Sequence, residues 1–452
     1  MIIDTGRIED ILKAARAEEG RVRATLEKAG EAKGLSIEEA ACLLDIDGPA
    51  LTEELLRKAG EVKEKVFGKR VVLFAPLYLS NHCTNGCLYC GFRSQNRGME
   101  RTALTPPEAA DEAKALVEMG FKRVLLVTGE APEYGLDYIT ACVRAVYENT
   151  GMRIVHVNAP PMDADGLAGL KASGVGVYQS FQETYHRPAY EKMHPTGRKK
   201  DYDYRLGVMD RALGAGFEDV GIGPLFGLHD HRFETLATIA HSMHLFERFG
   251  AHAHTISVPR LRPASGGLAD VPAPVSDIDL KKIVAVFRLC LPSAGVVVST
   301  RESARLRSEL LAVGASQISA ASRTNPGGYA RAEKTLEQFS TNDTRSLNEV
   351  IASIAGDGLL PSLCTTCYRV GRTGSAFTEK TMAGEMERLC QANAVLTLKE
   401  YLCDHPGMMN GSSEAVKKAL DDGIKGVTEP GLKKSLLEKL KEMEEGKRDL
   451  YF

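Results

Sequence analysis

The 452-residue sequence contains no tryptophan, no strong excess of either charge and no long apolar run. The missing tryptophan is a fact of composition and excludes nothing further. The charge balance excludes more. Lys and Arg number 57 against 60 Asp and Glu, a net charge of −3, so the chain has neither the basic footprint of a nucleic-acid binder nor a polybasic membrane surface. Partners are expected among small molecules and proteins. No stretch approaches the ~20 apolar residues of a spanning helix, and the start, MIIDTGRIEDILKAA, lacks the apolar core of a secretory signal. A reducing cytoplasm is the expected location.

Cysteine, by contrast, is plentiful. Six of the ten fall in two clusters, while Cys42, Cys142, Cys290 and Cys403 are scattered. Clustered cysteines in a large chain of this kind point to metal ligands rather than to a disulfide framework. Cys83, Cys87 and Cys90 form CTNGCLYC, close enough for one loop to wrap them around an inorganic cluster. Three thiolates on a cubane of four irons leave one iron without a protein ligand, free to bind and reduce a small molecule. The alternatives are cysteines that merely pack, or a structural zinc knuckle. Zinc usually takes four protein ligands, and no fourth Cys or His continues this loop in that pattern. CxxxCxxC with an aromatic, Tyr89, before its last cysteine resembles the loop of radical S-adenosylmethionine (SAM) enzymes, whose open iron takes the amino and carboxylate groups of SAM.

Along the chain the pattern changes near residue 70. Residues 1–69 read as a helical extension: Ile8, Ile11, Leu12 and Ala15 share a face, Ser36 and Glu39 make a capping box, and a further helix after Pro49 carries Leu51, Leu55, Leu56 and Val62. From Val71 to about residue 340, short apolar runs alternate with amphipathic helices. Eight candidate strands begin at or near Val71, Arg123, Arg153, Val175, Glu218, His254, Gly295 and Ser316. That alternation predicts an α/β fold, a TIM-type (β/α)8 barrel, with a doubly wound open sheet as the other possibility.

Barrel enzymes gather their functional residues where strands end. The three-cysteine loop follows the first strand. The second ends in Thr128, Gly129 and Glu130, and the fourth in Gln182 and Glu183 with Arg205 shortly after. The sixth ends in Arg260 with Arg262 nearby, and the eighth in Ser319, Ser322 and Arg323, suited to a substrate carboxylate. Each is also a plausible surface polar residue; together they make a candidate site. Residues 341–452 form a mainly helical unit with Cys364 and Cys367 as CxxC, then Cys390 after a 22-residue gap. Here a zinc site completed by a distant histidine is a stronger alternative.

CTNGCLYCGF, YQSFQETYHRPAYEKMHP, HTISVPRLRP, SQISAASRT, CTTCYRVGRTG with the gap to Cys390, and RDLYF resemble, along nearly the whole chain, the HydG family of radical SAM tyrosine lyases in FeFe-hydrogenase maturation. The second cysteine set separates that family from the tyrosine lyase of thiamine biosynthesis. The resemblance implies two 4Fe-4S clusters, the second carrying an additional iron, with SAM as cofactor and L-tyrosine as substrate. It implies cleavage to p-cresol and dehydroglycine, conversion of the latter to carbon monoxide and cyanide, and assembly of an Fe(CO)(CN) unit. A reductant such as flavodoxin or ferredoxin and other hydrogenase maturases are the implied protein partners. Tyr89, Thr128, Glu130, Glu183 and Arg205 are the candidate SAM residues, and Arg323 and Ser319 those for tyrosine. His254 is the candidate ligand of the additional iron, with His252 as competitor. The rival expectations are a related amino-acid lyase and a non-catalytic iron-sulfur carrier.

Overall fold

Runs such as Val124 to Val127 and Val296 to Val298 favour extended backbone buried on both faces. In the computed structural model, which describes residues 2–331, 336–409 and 413–452, they form eight parallel strands. These are β1 (Arg70–Ser80), β2 (Arg123–Thr128), β3 (Ile154–Asn158), β4 (Val177–Gln179), β5 (Asp219–Ile222), β6 (Thr255–Ser257), β7 (Gly295–Val298) and β8 (Gln317–Ser319). Neighbours pair in chain order, and β1 pairs with both β2 and β8, so the sheet closes into a barrel ringed by helices. The predicted (β/α)8 fold is the observed one.

A ninth strand, β9 (Leu360–Ser362), was not expected. It lies parallel to the first three residues of β1, in the register Arg70 to Leu360. Its central Pro361 lacks an N–H, which costs little on an edge strand bonded to β1 alone among the described residues. β9 therefore carries the chain under the barrel, at the end where strands begin, and leads straight into Cys364.

The N-terminal extension folds as helices Thr5–Ala14, Glu19–Ala29, Ile37–Leu44 and Pro49–Phe67. Ser36 and Glu39 cap the third in both directions. The second escapes the sequence pattern because Val22 and Leu26 are its only large apolar buried residues. Helix Pro49–Phe67 lies against the barrel helices Asp277–Cys290 and Ala304–Val313. Gly60 permits that approach, since a Cβ there would stand 2.5 Å from the Ala312 carbonyl oxygen. At the other end of the chain, helix Met386–Asp404 is buried between β9, helix Pro49–Phe67 and the last two helices, Ser413–Gly426 and Pro430–Glu444. No helix among the described residues is long and apolar enough to cross a membrane.

The end of β8 is fastened by a buried ion pair. Arg307 and Asp343 have side chains only 1% exposed, and Arg307 also donates to the Ser319 carbonyl. Arg307→Met would leave Asp343 buried with Arg345 as its only cation, and removing one partner of such a pair costs about 3–5 kcal/mol. Urea unfolding should register that loss; an unmoved midpoint would show that the pair does not hold the strand end.

Candidate active site

The loop after β1 has no repeating backbone pattern of its own, so its amides and carbonyls are satisfied by neighbours. Leu88 N–H donates to the Met193 carbonyl, Gly86 N–H to Thr196 and Thr84 N–H to Glu130. Buried Asn81 donates to the Glu100 carbonyl and accepts from Thr102 N–H, while Arg101 donates to the carbonyls of Asn81, Phe92 and Arg93. Gly129, just past β2, lets the loop close in: a Cβ there would lie 2.2 Å from the His82 carbonyl oxygen and 3.2 Å from the Cys83 Cβ.

The thiols of Cys83, Cys87 and Cys90 line one cavity of about 110 Å³. Tyr89, Thr128, Glu130, Glu183 and Arg205 line it too, so the structure brings all the candidate SAM residues to the cysteines. Glu130 accepts from Asn85 Nδ2 at 2.7 Å and pairs with Arg205 at 3.4 Å, and Glu183 pairs with Lys199 at 2.6 Å. Two carboxylates and two cations thus balance around the cavity. Glu183 has φ +69°, a conformation costly for a residue with a side chain, and Leu225 N–H holds its carbonyl at 2.7 Å. The Tyr89 hydroxyl donates to His194 Nε2 at 2.8 Å; the opposite nitrogen faces the Tyr190 carbonyl, and burial pushes this imidazole down to about 2, so it is neutral. Sequence reasoning missed Asn85, Lys199 and Gln338, whose amide lies 3.7 Å from Cys90 Sγ. Lys199 follows a loop far along the chain, and no spacing marks it.

Burial pushes the Cys90 thiol up to about 12, with Cys87 and Cys83 adding to the shift, and burial raises Cys87 as well. Such thiols hold their protons at neutral pH until a bound cation replaces them. Among the described residues no three His, Cys, Asp or Glu groups converge as ligands of one ion would. Each cysteine triad surrounds a space instead, which suits a cluster.

The second triad stands at the opposite end of the barrel. Cys364, Cys367 and Cys390 line a cavity of about 50 Å³ whose walls include Arg70, Arg123, His254, Gly295 and Gln317, from the beginnings of strands. Thr366 N–H points at Cys364 Sγ at 3.4 Å, and burial pushes the Cys367 thiol up to about 12. His254 Nδ1 lies 3.2 Å from Asp219, and its Nε2 is hydrogen-bonded with the Tyr368 hydroxyl at 2.9 Å. His252 is elsewhere, stacked on Phe246 with its Nδ1 toward Ser242. Of the two histidines, His254 lines the second cavity and His252 does not.

Between the two ends the barrel interior holds a cavity of about 180 Å³. Asn158, Glu183 and Gln338 border both it and the first site; Arg123, Gln317 and Tyr368 border both it and the second. Ser319 lines this central cavity. Arg323 does not: its side chain is exposed, a correction to the sequence expectation. Ala321 takes φ +49°, which breaks the in-and-out alternation after β8 and turns Arg323 to solvent. Arg260 and Arg262 are both paired with Glu302. Two cations do border the cavity: Arg123, at the start of β2, and at the strand-end side Arg301, three residues past β7, with its guanidinium 3.3 Å from the centre of the Phe339 ring.

A closed parallel barrel with a CxxxCxxC loop at its mouth is the arrangement of a radical SAM enzyme. Residues 77–242 match the Radical SAM superfamily and residues 257–360 the Biotin and Thiamin Synthesis associated domain. A crystal structure of HydG, a maturase of the FeFe-hydrogenase, is 42% identical and superposes with a TM-score of 0.95 over 100% of both chains. HydG from Carboxydothermus hydrogenoformans is 38% identical, with a TM-score of 0.85 over 96% of this chain and 97% of that one. The 2-iminoacetate synthase of Escherichia coli (strain K12) is 35% identical over 345 residues, 76% of this chain and 90% of the relative. The chain belongs to the family of HydG and 2-iminoacetate synthase, and it is a radical SAM lyase.

Two double variants separate the ends. Cys83→Ala with Cys87→Ala, and Cys364→Ala with Cys367→Ala, should each bind about half the iron and sulfide of the reconstituted parent if each triad holds one four-iron cluster. Full loading of either variant would remove that triad as a ligand set.

Proposed function

We propose that this chain cleaves L-tyrosine to p-cresol and dehydroglycine at the Cys83 end of the barrel, and converts the second product to carbon monoxide and cyanide for an Fe(CO)(CN) unit assembled at the Cys364 end, for an FeFe-hydrogenase. The observation that carries this reading is the shared wall: one central cavity has wall residues in common with each of the two cavities that the cysteine triads line. The identity with HydG over the full chain supports it. When bound, a 4Fe-4S cluster on Cys83, Cys87 and Cys90 together with SAM supplies a one-electron source of a 5'-deoxyadenosyl radical.

The chain's own residues do the rest by position. Glu130, steadied by Asn85 and Arg205, would accept from the SAM ammonium, and Arg205 would pair with its carboxylate. Glu183 faces the same space, and Thr128 and Tyr89 border it. Ser319 and Arg301 are the donors for the tyrosine carboxylate, Arg301 taking the part first assigned to Arg323. Enclosure keeps water and stray hydrogen donors from the reacting carbon. At the far end His254, whose Nε2 now meets the Tyr368 hydroxyl, would hold the additional iron as an imidazole ligand. A flavodoxin or ferredoxin supplies electrons, and other hydrogenase maturases receive the product.

The test is anaerobic turnover of protein loaded with iron and sulfide, given SAM, dithionite and tyrosine. The parent should yield all three products; Cys364→Ala with Cys367→Ala should keep p-cresol within about twofold and lose carbon monoxide at least ~tenfold. p-Cresol with neither diatomic product would favour instead the activity suggested by the match to 2-iminoacetate synthase. In the same assay Arg301→Met should lower kcat/KM for tyrosine by about tenfold or more, as expected for a lost charge-assisted bond, while Arg323→Ala stays within about twofold. The reverse order would restore Arg323 to the site.

A further inference from the structure

The two cysteine sites differ in charge. Glu130 and Glu183 balance Lys199 and Arg205 around the first, whereas the second cavity has Arg70, Arg123 and Arg372 in its wall and, among the described residues, no Asp or Glu. Arg70 is in contact with Cys390 as a hydrogen-bond partner. Arg123 donates to the Cys364 carbonyl at 2.7 Å.

More positive charge lies behind this wall. The Phe67 ring has the Arg70 guanidinium 4.6 Å from its centre and that of Arg288 at 5.1 Å. Arg288 is fully buried and donates to the carbonyls of Gly314, Pro292 and Ala294, neutral groups that leave its charge uncompensated. Lys63, 2% exposed, has no hydrogen-bond partner for Nζ, and burial together with Arg70 and Arg288 pushes it down to about 7. Among the described residues none of Lys63, Arg70 and Arg288 is ion-paired with a carboxylate. Two buried guanidiniums beside an ammonium that is only partly protonated at neutral pH are unfavourable without an anion, and a negative neighbour would relieve both and favour the charged Lys63. The thiolate-held group at Cys364, Cys367 and Cys390 is the negative charge at hand.

We infer that Arg70, in contact with Cys390 and backed by Arg288 and Lys63, forms a buried cationic base that stabilises added negative charge on the iron-sulfur centre at the Cys364 end, whether an electron or an anionic ligand such as cyanide. The inference rests on the two-centre reading above. These residues act through the field they create and touch no substrate, so the property to measure is a reduction potential.

Anaerobic redox titration of the reconstituted full-length protein, followed by electron paramagnetic resonance, reads both centres in the same molecules, and the first serves as reference. Arg70→Met should lower the equilibrium constant for reducing the second centre by about tenfold, equivalent to about 59 mV for one electron. Lys63→Met, whose side chain is outside the cavity wall, should shift it the same way by less, and Arg70→Lys should restore it. The first centre should not move. A second-centre potential equal to the parent's in Lys63→Met and Arg70→Met, or a common shift of both centres, overturns the inference. A parent protein with about four irons and one reducible centre overturns the two-centre reading itself, and this inference with it.

Discussion

Hydrogen bonding along one strand sets the distance between the two sites. β1 begins beside β9, which runs into Cys364, and ends three residues before Cys83. Its eleven residues span roughly 30 Å at the usual rise per residue. Because β1 also pairs with β2 and β8, the same ladder that closes the barrel fixes one cysteine triad at each end of it. Loss of the β1 register would disturb both sites and the cavity between them together.

The ends are then specialised by what the strands present. Strand ends supply Glu130, Glu183, Arg301 and Ser319, a mixed set suited to a zwitterionic cofactor and an amino-acid substrate. Strand beginnings supply Arg70, Arg123, Gln317 and His254, a set suited to an anionic centre. Ordinary barrel alternation gives both sets from the same eight strands, with no need for long loops to reach inward.

This division explains how far the sequence could be read. Eight strands were legible because β-branched runs recur between amphipathic helices, and the two cysteine groups because their spacing is local. The placement of His254 at the far end was legible from its position just before β6. β9 was not, since three residues containing Pro361 carry no strand pattern. Arg323 was misplaced because nothing in SQISAASRT announces the left-handed turn at Ala321, whereas Arg301 stood unremarked just past β7. Lys199 and the Lys63, Arg70 and Arg288 cluster are assembled by folding alone, from segments with no shared motif.

The central claim is that tyrosine carbon travels through the barrel from one triad to the other. Turnover of tyrosine labelled with carbon-13 and nitrogen-15, followed by infrared spectroscopy in the presence of excess deoxymyoglobin as an external trap for carbon monoxide, tests it directly. Internal transfer predicts labelled carbon monoxide and cyanide bands on the protein at undiminished rate with the trap present. Loss of the protein-bound carbon monoxide band, with the label recovered on the trap, would contradict it.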